Sequence, residues 1–350
     1  MRQVMVLALG MLLGAASAWA KDLQVGFVYV SPVGDAGYSY AHDQGRLAIE
    51  AMEGVSTSFV ESVPEGQDAE RVITTMARKG YDVIFATSYG YMDPTLKVAK
   101  QFPNIKFLHC SGYKTAPNMA NYFGRMYQAR YLTGMVAGAM TKSHLLGYVA
   151  AFPIPEVIRG INAFALGAQA VNPKAEVRVV WTKTWYDPAR EKEAAKSLLD
   201  AGCDVLAQHQ DSPSTQEAAQ ERGVYSIGYN SDMAKFAPKS HLTAAVWNWA
   251  PFYTEMIRQI QAGTWQAQAY WWGMDRNIID IAPFGPMVPA DVQKKVLEAK
   301  KAIADGSLVV FSGPIRDQKG VERVGARAHL SDEQLLSMNW FVRGVVGTLE

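Results

Sequence analysis

Short apolar runs alternate with amphipathic stretches of helical period from residue 23 to about residue 229. That alternation confines the chain to parallel sheets covered by helices on both faces, an α/β architecture. Strands are predicted at 23–30, 56–60, 82–87, 106–110, 145–150, 177–181, 204–208 and 225–228, with helices between them. One helix, 69–79, carries Val72, Ile73, Met76 and Ala77 on one face and stops at Gly80, a suitable residue just past a helix end. Two connections share a design. Asp93-Pro94 and Asp187-Pro188 each set a capping aspartate before a proline, just after aromatic pairs (Tyr89 and Tyr91; Trp185 and Tyr186). The 350 residues therefore read as two similar halves. A ligand belongs between them, where the carboxyl ends of the strands face each other. Near the end, Ser331-Asp332-Glu333-Gln334 reads as a capping box before the apolar run LLSMNWFVRGVVGTL, which predicts a closing packed helix.

Residues 1–20, MRQVMVLALGMLLGAASAWA, combine one basic residue (Arg2), an apolar stretch from Val4 to Leu13 and small residues at Ala18 and Ala20. This is the pattern of a cleaved secretory signal, with no nearby cysteine to take a lipid, so a periplasmic product with no membrane insertion is expected. The 34 basic and 33 acidic residues give no single-sign field, which argues against nucleic-acid binding. Cys110 and Cys203 lie at the edges of apolar runs and read as buried thiols. The six histidines, His42, His109, His144, His209, His241 and His329, are scattered and read as surface or loop residues rather than metal ligands. No phosphate-binding, dinucleotide-binding, nucleophile-elbow or H-E-x-x-H motif occurs, so no cofactor and no catalysis are expected.

Aromatic residues concentrate at strand-to-helix junctions, where filling a core is least natural. Tyr38 and Tyr40 lie in GDAGYSYAH, Trp185 in KTWYDP, and Trp247 and Trp249 in AAVWNWAPF. They are candidates for stacking on a flat ligand. The segments VGFVYVSPVGDAGYSYAHDQGR, FGRMYQARYLTGMVAGAMTKSHLLGYVAAFPIPEVIRGINAFALGAQAVNP, TWYDPAREKEAAKSLLDAGCDVLAQHQ, ERGVYSIGYNSD and LSMNWFVRGVVG, in this order, resemble the basic membrane protein family of substrate-binding proteins, including its purine nucleoside receptors. The resemblance implies a type I periplasmic-binding fold, with two Rossmann-like lobes, three crossovers and a ligand cleft. Residues 21–118 with 249–283 would form the first lobe, and 119–248 with 284–350 the second, hinged near 112–122, 248–252 and 282–286. It also implies delivery of a small molecule to an ABC transporter permease.

Carried onto this chain, the family's two base-stacking aromatics fall at Tyr38, with Tyr40 nearby, and at Trp185. Ser88, Ser111, Asp211 and Asn230, at strand ends, are candidates to read the base edge; Asp211 accepts from an amine or ring N–H, or alternatively caps the helix after Pro213. Where the family's nucleoside receptors carry an Asp and a Lys on the ribose, this chain has Asn230 and Trp247. Asp232 takes the first role if the alignment slips. The expected ligand is therefore a free purine base resembling adenine, with Trp247 filling the ribose volume. Alternatives are a nucleoside, a sugar, a sensor that hands its closed form to a membrane receptor, or a secreted nucleoside hydrolase using Asp35, Asp211 or Asp232.

Overall fold

A computed structural model describes residues 22–349; the signal segment expected at 1–20 lies outside them. The first lobe opens with β1 (Leu23–Tyr29), α1 (Tyr38–Glu50), β2 (Val55–Val60), α2 (Gln67–Arg78), β3 (Val83–Thr87), α3 (Met92–Gln101), β4 (Lys106–Cys110) and β5 (Met119–Gly124). The second lobe continues with α4 (Tyr127–Met140), β6 (Leu145–Ala150), α5 (Pro155–Val171), β7 (Glu176–Trp181), α6 (Pro188–Asp200), β8 (Val205–His209), α7 (Ser214–Glu221), β9 (Tyr225–Asn230) and β10 (His241–Trp247). The chain returns to the first lobe for α8 (Ala250–Gln261) and β11 (Ala269–Trp272). It ends in the second with β12 (Ile279–Ile281), α9 (Ala290–Ala304), β13 (Ile315–Arg316), β14 (Glu322–Val324), α10 (Asp332–Leu336) and β15 (Val345–Val346).

Two large sheets result, ordered β11-β5-β4-β3-β1-β2 and β12-β10-β9-β8-β6-β7-β15, in which only β12 runs antiparallel to its neighbour, beside a two-stranded antiparallel sheet of β13 and β14. The inner strands are buried on both faces, which is why they read as unbroken apolar runs such as VIFAT in β3. Phe27 and Phe85 are partners in register, and their rings stack with centroids 4.7 Å apart. In the second lobe α4 and α5 approach to backbone contact. A Cβ added at Gly134 would sit 2.1 Å from the Phe164 carbonyl oxygen, and one at Gly167 only 1.9 Å from that of Tyr131. All eight predicted strands are present.

Several details differ from the sequence reading. β5 pairs between β4 and β11 in the first sheet, and β12 pairs with β10 in the second. The chain therefore crosses between the sheets at 125–126, 248–249 and 273–278; the second crossing is where the sequence places it, whereas β5 and β12 fall on the other side of the boundaries expected at 118/119 and 283/284. Asp93 is not a helix cap. A 3₁₀ turn over Tyr89–Tyr91 runs directly into α3, leaving Asp93 inside the first turn and paired with Lys114 at 2.7 Å. Asp187 does cap α6, accepting from the Arg190 backbone N–H at 3.1 Å. His42, His109, His209 and His241 are buried rather than superficial, and both cysteines are buried thiols.

The expected closing helix is only five residues long, although its capping box is complete. Beyond it, residues 340–342 are held extended by hydrogen bonds from α5, and 343–344 form a turn. Asn162 donates to the Trp340 carbonyl at 2.8 Å and accepts from the Val342 N–H at 2.9 Å, and Gly344 adopts φ +93°, which breaks helical continuity. Asn162→Ala would strand two buried backbone groups, so it is expected to lower the unfolding free energy by about 2–4 kcal/mol. Chemical denaturation checks this; a loss below about 1 kcal/mol would mean that Asn162 does not anchor the tail.

Candidate functional site

The carboxyl ends of the two sheets face one another and enclose a narrow cavity. Val30, Tyr38, Ser88, Tyr89 and Ser111 come from the first lobe, and Glu156, Trp185, His209, Asp211 and Tyr229 from the second. The same rule of chain geometry places them. Each lies near the end of an inner strand, or opens the next helix, at the edge where open α/β sheets take ligands. Ser111 sits at φ +77° and Asn230, behind the cavity, at φ +69°, both in the left-handed region. Such backbone costs about 1–3 kcal/mol per residue and persists where surrounding structure enforces it, often around ligands.

The lobes touch around this cavity. The Gly37 N–H donates to Ser231 Oγ at 3.1 Å, Ser31 Oγ donates to Asp211 Oδ2 at 3.3 Å, and the Trp185 indole N–H donates to Glu65 Oε1 at 3.2 Å. The Ser111 hydroxyl donates to Glu156 Oε2. Glu65 Oε1 also accepts from Ser88 Oγ at 2.6 Å and the Gly90 N–H at 2.8 Å, so one carboxylate organises the rim on both sides. Each link is modest, since an ordinary hydrogen bond contributes about 0.5–1.5 kcal/mol net. The described arrangement is a closed one.

Electrostatically the cavity holds acids in an apolar setting. Burial pushes the Glu156 carboxyl up to about 7, against the Ser111 hydrogen bond and the Arg159 charge. Burial also drives Asp211 well above the carboxylate range, helped by neighbouring Glu191 and opposed by hydrogen bonds from Ser31 and Asn230. His209 is held far below its usual range by burial and by Arg130 and Arg159, so its ring is neutral. Arg130 lies behind the wall, 3.7 Å from the centre of the Tyr229 ring, and donates to the Gln208 carbonyl at 2.7 Å. The Tyr38 hydroxyl, neutral through burial, donates to Cys110 Sγ at 3.3 Å. Acids with raised pKa and a neutral imidazole offer mixed donors and acceptors to a guest, while aromatic faces offer contact area.

Of the residues expected at the site, Tyr38, Ser88, Ser111, Trp185 and Asp211 converge on the cavity. Asn230 stands one step behind, donating to Asp211 Oδ1 at 3.3 Å and accepting from the Trp247 indole at 3.1 Å. Trp247 is therefore not a wall of the cavity. It is buried against Phe123 and stacks on Trp249 with centroids 4.6 Å apart. Tyr40 does not line the cavity, being two residues along α1 from Tyr38 and so turned to another side of the helix. Asp232 is exposed and accepts from the Ala234 N–H at 2.9 Å, and Asp35 is exposed in an ion pair with Lys235. Asp211 does not cap α7, whose first turn has no side-chain cap. Glu156, His209, Tyr229, Tyr89 and Val30 were not anticipated. The usable signal was Glu156's place shortly after the β6 end, the same kind of junction that singles out Tyr38.

Among the described residues no three His, Cys, Asp or Glu side chains gather as a metal site, and no helix is long and apolar enough to cross a membrane. Comparison with known proteins is extensive. A purine-binding protein of Brucella abortus is 47% identical over 338 residues, covering 96% of both chains. A candidate ABC transporter glucose-binding protein of Haloferax volcanii is 40% identical, covering 95% of this chain and 83% of its own. Among solved structures, a solute-binding protein of an ABC transporter system from Aeropyrum pernix superposes with a TM-score of 0.73 at 19% identity, over 83% of this chain and 94% of its own, a likeness of fold. Residues 23–310 match the family described as ABC transporter substrate-binding protein, PnrA-like. The two α/β lobes with facing strand ends are the type I periplasmic-binding architecture, and the chain belongs to the PnrA-like, or basic membrane protein, family of ABC transporter substrate-binding proteins.

Proposed function

We propose that this protein captures a purine as the free base, of the adenine type, and presents its closed form to the permease of an ABC importer outside the cytoplasm, after export directed by residues 1–20. The observation that carries the reading is the pairing of Tyr38 from one lobe with Trp185 from the other on a single narrow cavity that also presents the polar groups of Ser88, Ser111, Glu156, His209 and Asp211. A flat heterocycle gains about 0.5–1.5 kcal/mol per aromatic stack beyond area burial. The purine-binding relative at 47% identity supports the ligand class.

Two features favour base over nucleoside. Asn230 is already committed to Asp211 and Trp247, and Asp232 does not line the cavity, so neither offers a ribose a partner. A ligand that touches both lobes stabilises the closed form by its differential contacts, and no chemical step is needed.

Calorimetry with adenine, adenosine and glucose tests this. Adenine is expected to bind near micromolar, about -8 kcal/mol, with adenosine at least about tenfold weaker and recovered intact. Adenosine binding as tightly as adenine would overturn the free-base reading, and free base released from adenosine would make the protein a hydrolase. The Haloferax relative motivates the glucose arm; glucose binding without purine binding would overturn the ligand class.

A further inference from the structure

We propose that Glu156 reads the ligand as a carboxylic acid, its O–H and C=O together pairing with a heterocycle edge on which a ring nitrogen acceptor stands beside an N–H donor. Adenine presents such an edge at its amine and adjacent ring nitrogen. The inference rests on the purine reading of the cavity and adds the group that selects the edge.

The geometry starts from the first turn of α5, where Glu156 enters the cavity wall with its side chain only 12% exposed. Oε2 is occupied by the Ser111 hydroxyl across the lobe boundary. Among the described residues no donor reaches Oε1 within hydrogen-bond distance; the nearest basic atom is His209 Nε2 at 4.0 Å. Ser111 uses one lone pair of Oε2, so Oε1 as the O–H and the second lone pair of Oε2 are left for the guest.

The groups around it decide the protonation state. His209 is neutral, and its Nδ1 is buried without a partner. Arg159, on α5 itself, favours the charged form, but its guanidinium is directed at the Leu335 carbonyl at 2.6 Å and the Trp271 face at 5.1 Å. Glu65 is an acid that disfavours a second negative charge. The phenols of Tyr38, Tyr89 and Tyr229, like the Cys110 thiol, are pushed above their ordinary ranges and stay neutral. Burial, the largest influence, lifts the group to about 7 against the Ser111 hydrogen bond and the Arg159 charge. An acid offers one donor and one acceptor, whereas a carboxylate only accepts and would set its lone pairs against those of the ring nitrogen.

Calorimetric titration of the mature chain with adenine from about pH 6 to about pH 8.5, a window in which adenine stays neutral, tests the assignment. Affinity is expected to fall about thirtyfold across that window, because the proton on Glu156 must be supplied above its titration point. Titrations in buffers of different ionisation enthalpy are expected to show uptake of about one proton at the alkaline end. Glu156→Gln, whose carboxamide carries donor and acceptor at every pH, should flatten the profile and abolish the uptake. Glu156→Ala should weaken binding at least about tenfold at the acidic end, with circular dichroism confirming that both variants are folded. A flat wild-type profile, or a Gln variant that keeps the wild-type slope, overturns the role of Glu156 while leaving purine capture standing. Absence of adenine binding at every pH overturns the purine reading and this assignment together.

Discussion

Trp185→Ala is expected to weaken adenine binding by about thirty- to hundredfold while leaving the fold intact. The indole supplies one face of the cavity, so its loss removes about 0.5–1.5 kcal/mol of stacking and a further share from apolar area left wet, at about 25 cal/mol per Å². It also removes the indole hydrogen bond to Glu65, one of the links between the lobes. The combined loss of about 2–3 kcal/mol corresponds to that range of affinity. Trp185 lies half-buried in the loop before α6, outside both sheets, and packs edge-on to Phe152 at 5.0 Å. Core packing should therefore survive, and circular dichroism would show it. Unchanged affinity in a folded variant would put the ligand elsewhere.

Gly37→Ala should act on closure itself. Gly37 lies at φ +98° and ψ -167°, a region nearly reserved for glycine. A Cβ there would stand 2.1 Å from the Asp211 carbonyl oxygen of the opposite lobe. That atom is backbone and cannot swing aside, so the lobes must stay apart or the loop must rebuild. An affinity loss of at least about a hundredfold is expected, together with backbone strain of about 1–3 kcal/mol. Small-angle scattering should show that saturating adenine no longer compacts the variant. A variant that still closes and binds as the wild type does would mean that the approach of Gly37 to Asp211 is not needed in the bound state.

Strands buried on both faces announce themselves as apolar runs, which is why β1, β3, β4, β6 and β8 are legible without a structure. β5, β10, β11 and β12 are not, because they border the crossovers and lack the regular strand-helix alternation that identifies the others. Missing β5 displaced the expected lobe boundary. The terminal run failed differently, since its apolar residues satisfy a helical pattern while tertiary hydrogen bonds from Asn162 hold the backbone extended. At the site, junction position found Tyr38, Trp185 and Asp211 but passed over Glu156. An acid in the first turn of a helix is explained by the helix dipole alone, and only three-dimensional packing shows that this one is desolvated. Trp247 was misplaced because a one-dimensional correspondence puts a residue at a strand end without saying which side of it faces the cavity.

The imidazole of His42 on α1, the indole of Trp249 at a crossover and the indole of Trp247 at the end of β10 form a continuous column, with centroid spacings of 4.7 and 4.6 Å. Its two ends belong to different lobes, so parting the lobes must shear the pile. Electronic transitions of indoles this close are coupled, and the coupling changes with their offset. Ligand-driven parting and closing of the lobes is therefore expected to register in near-ultraviolet dichroism or tryptophan emission during rapid mixing, without an attached dye.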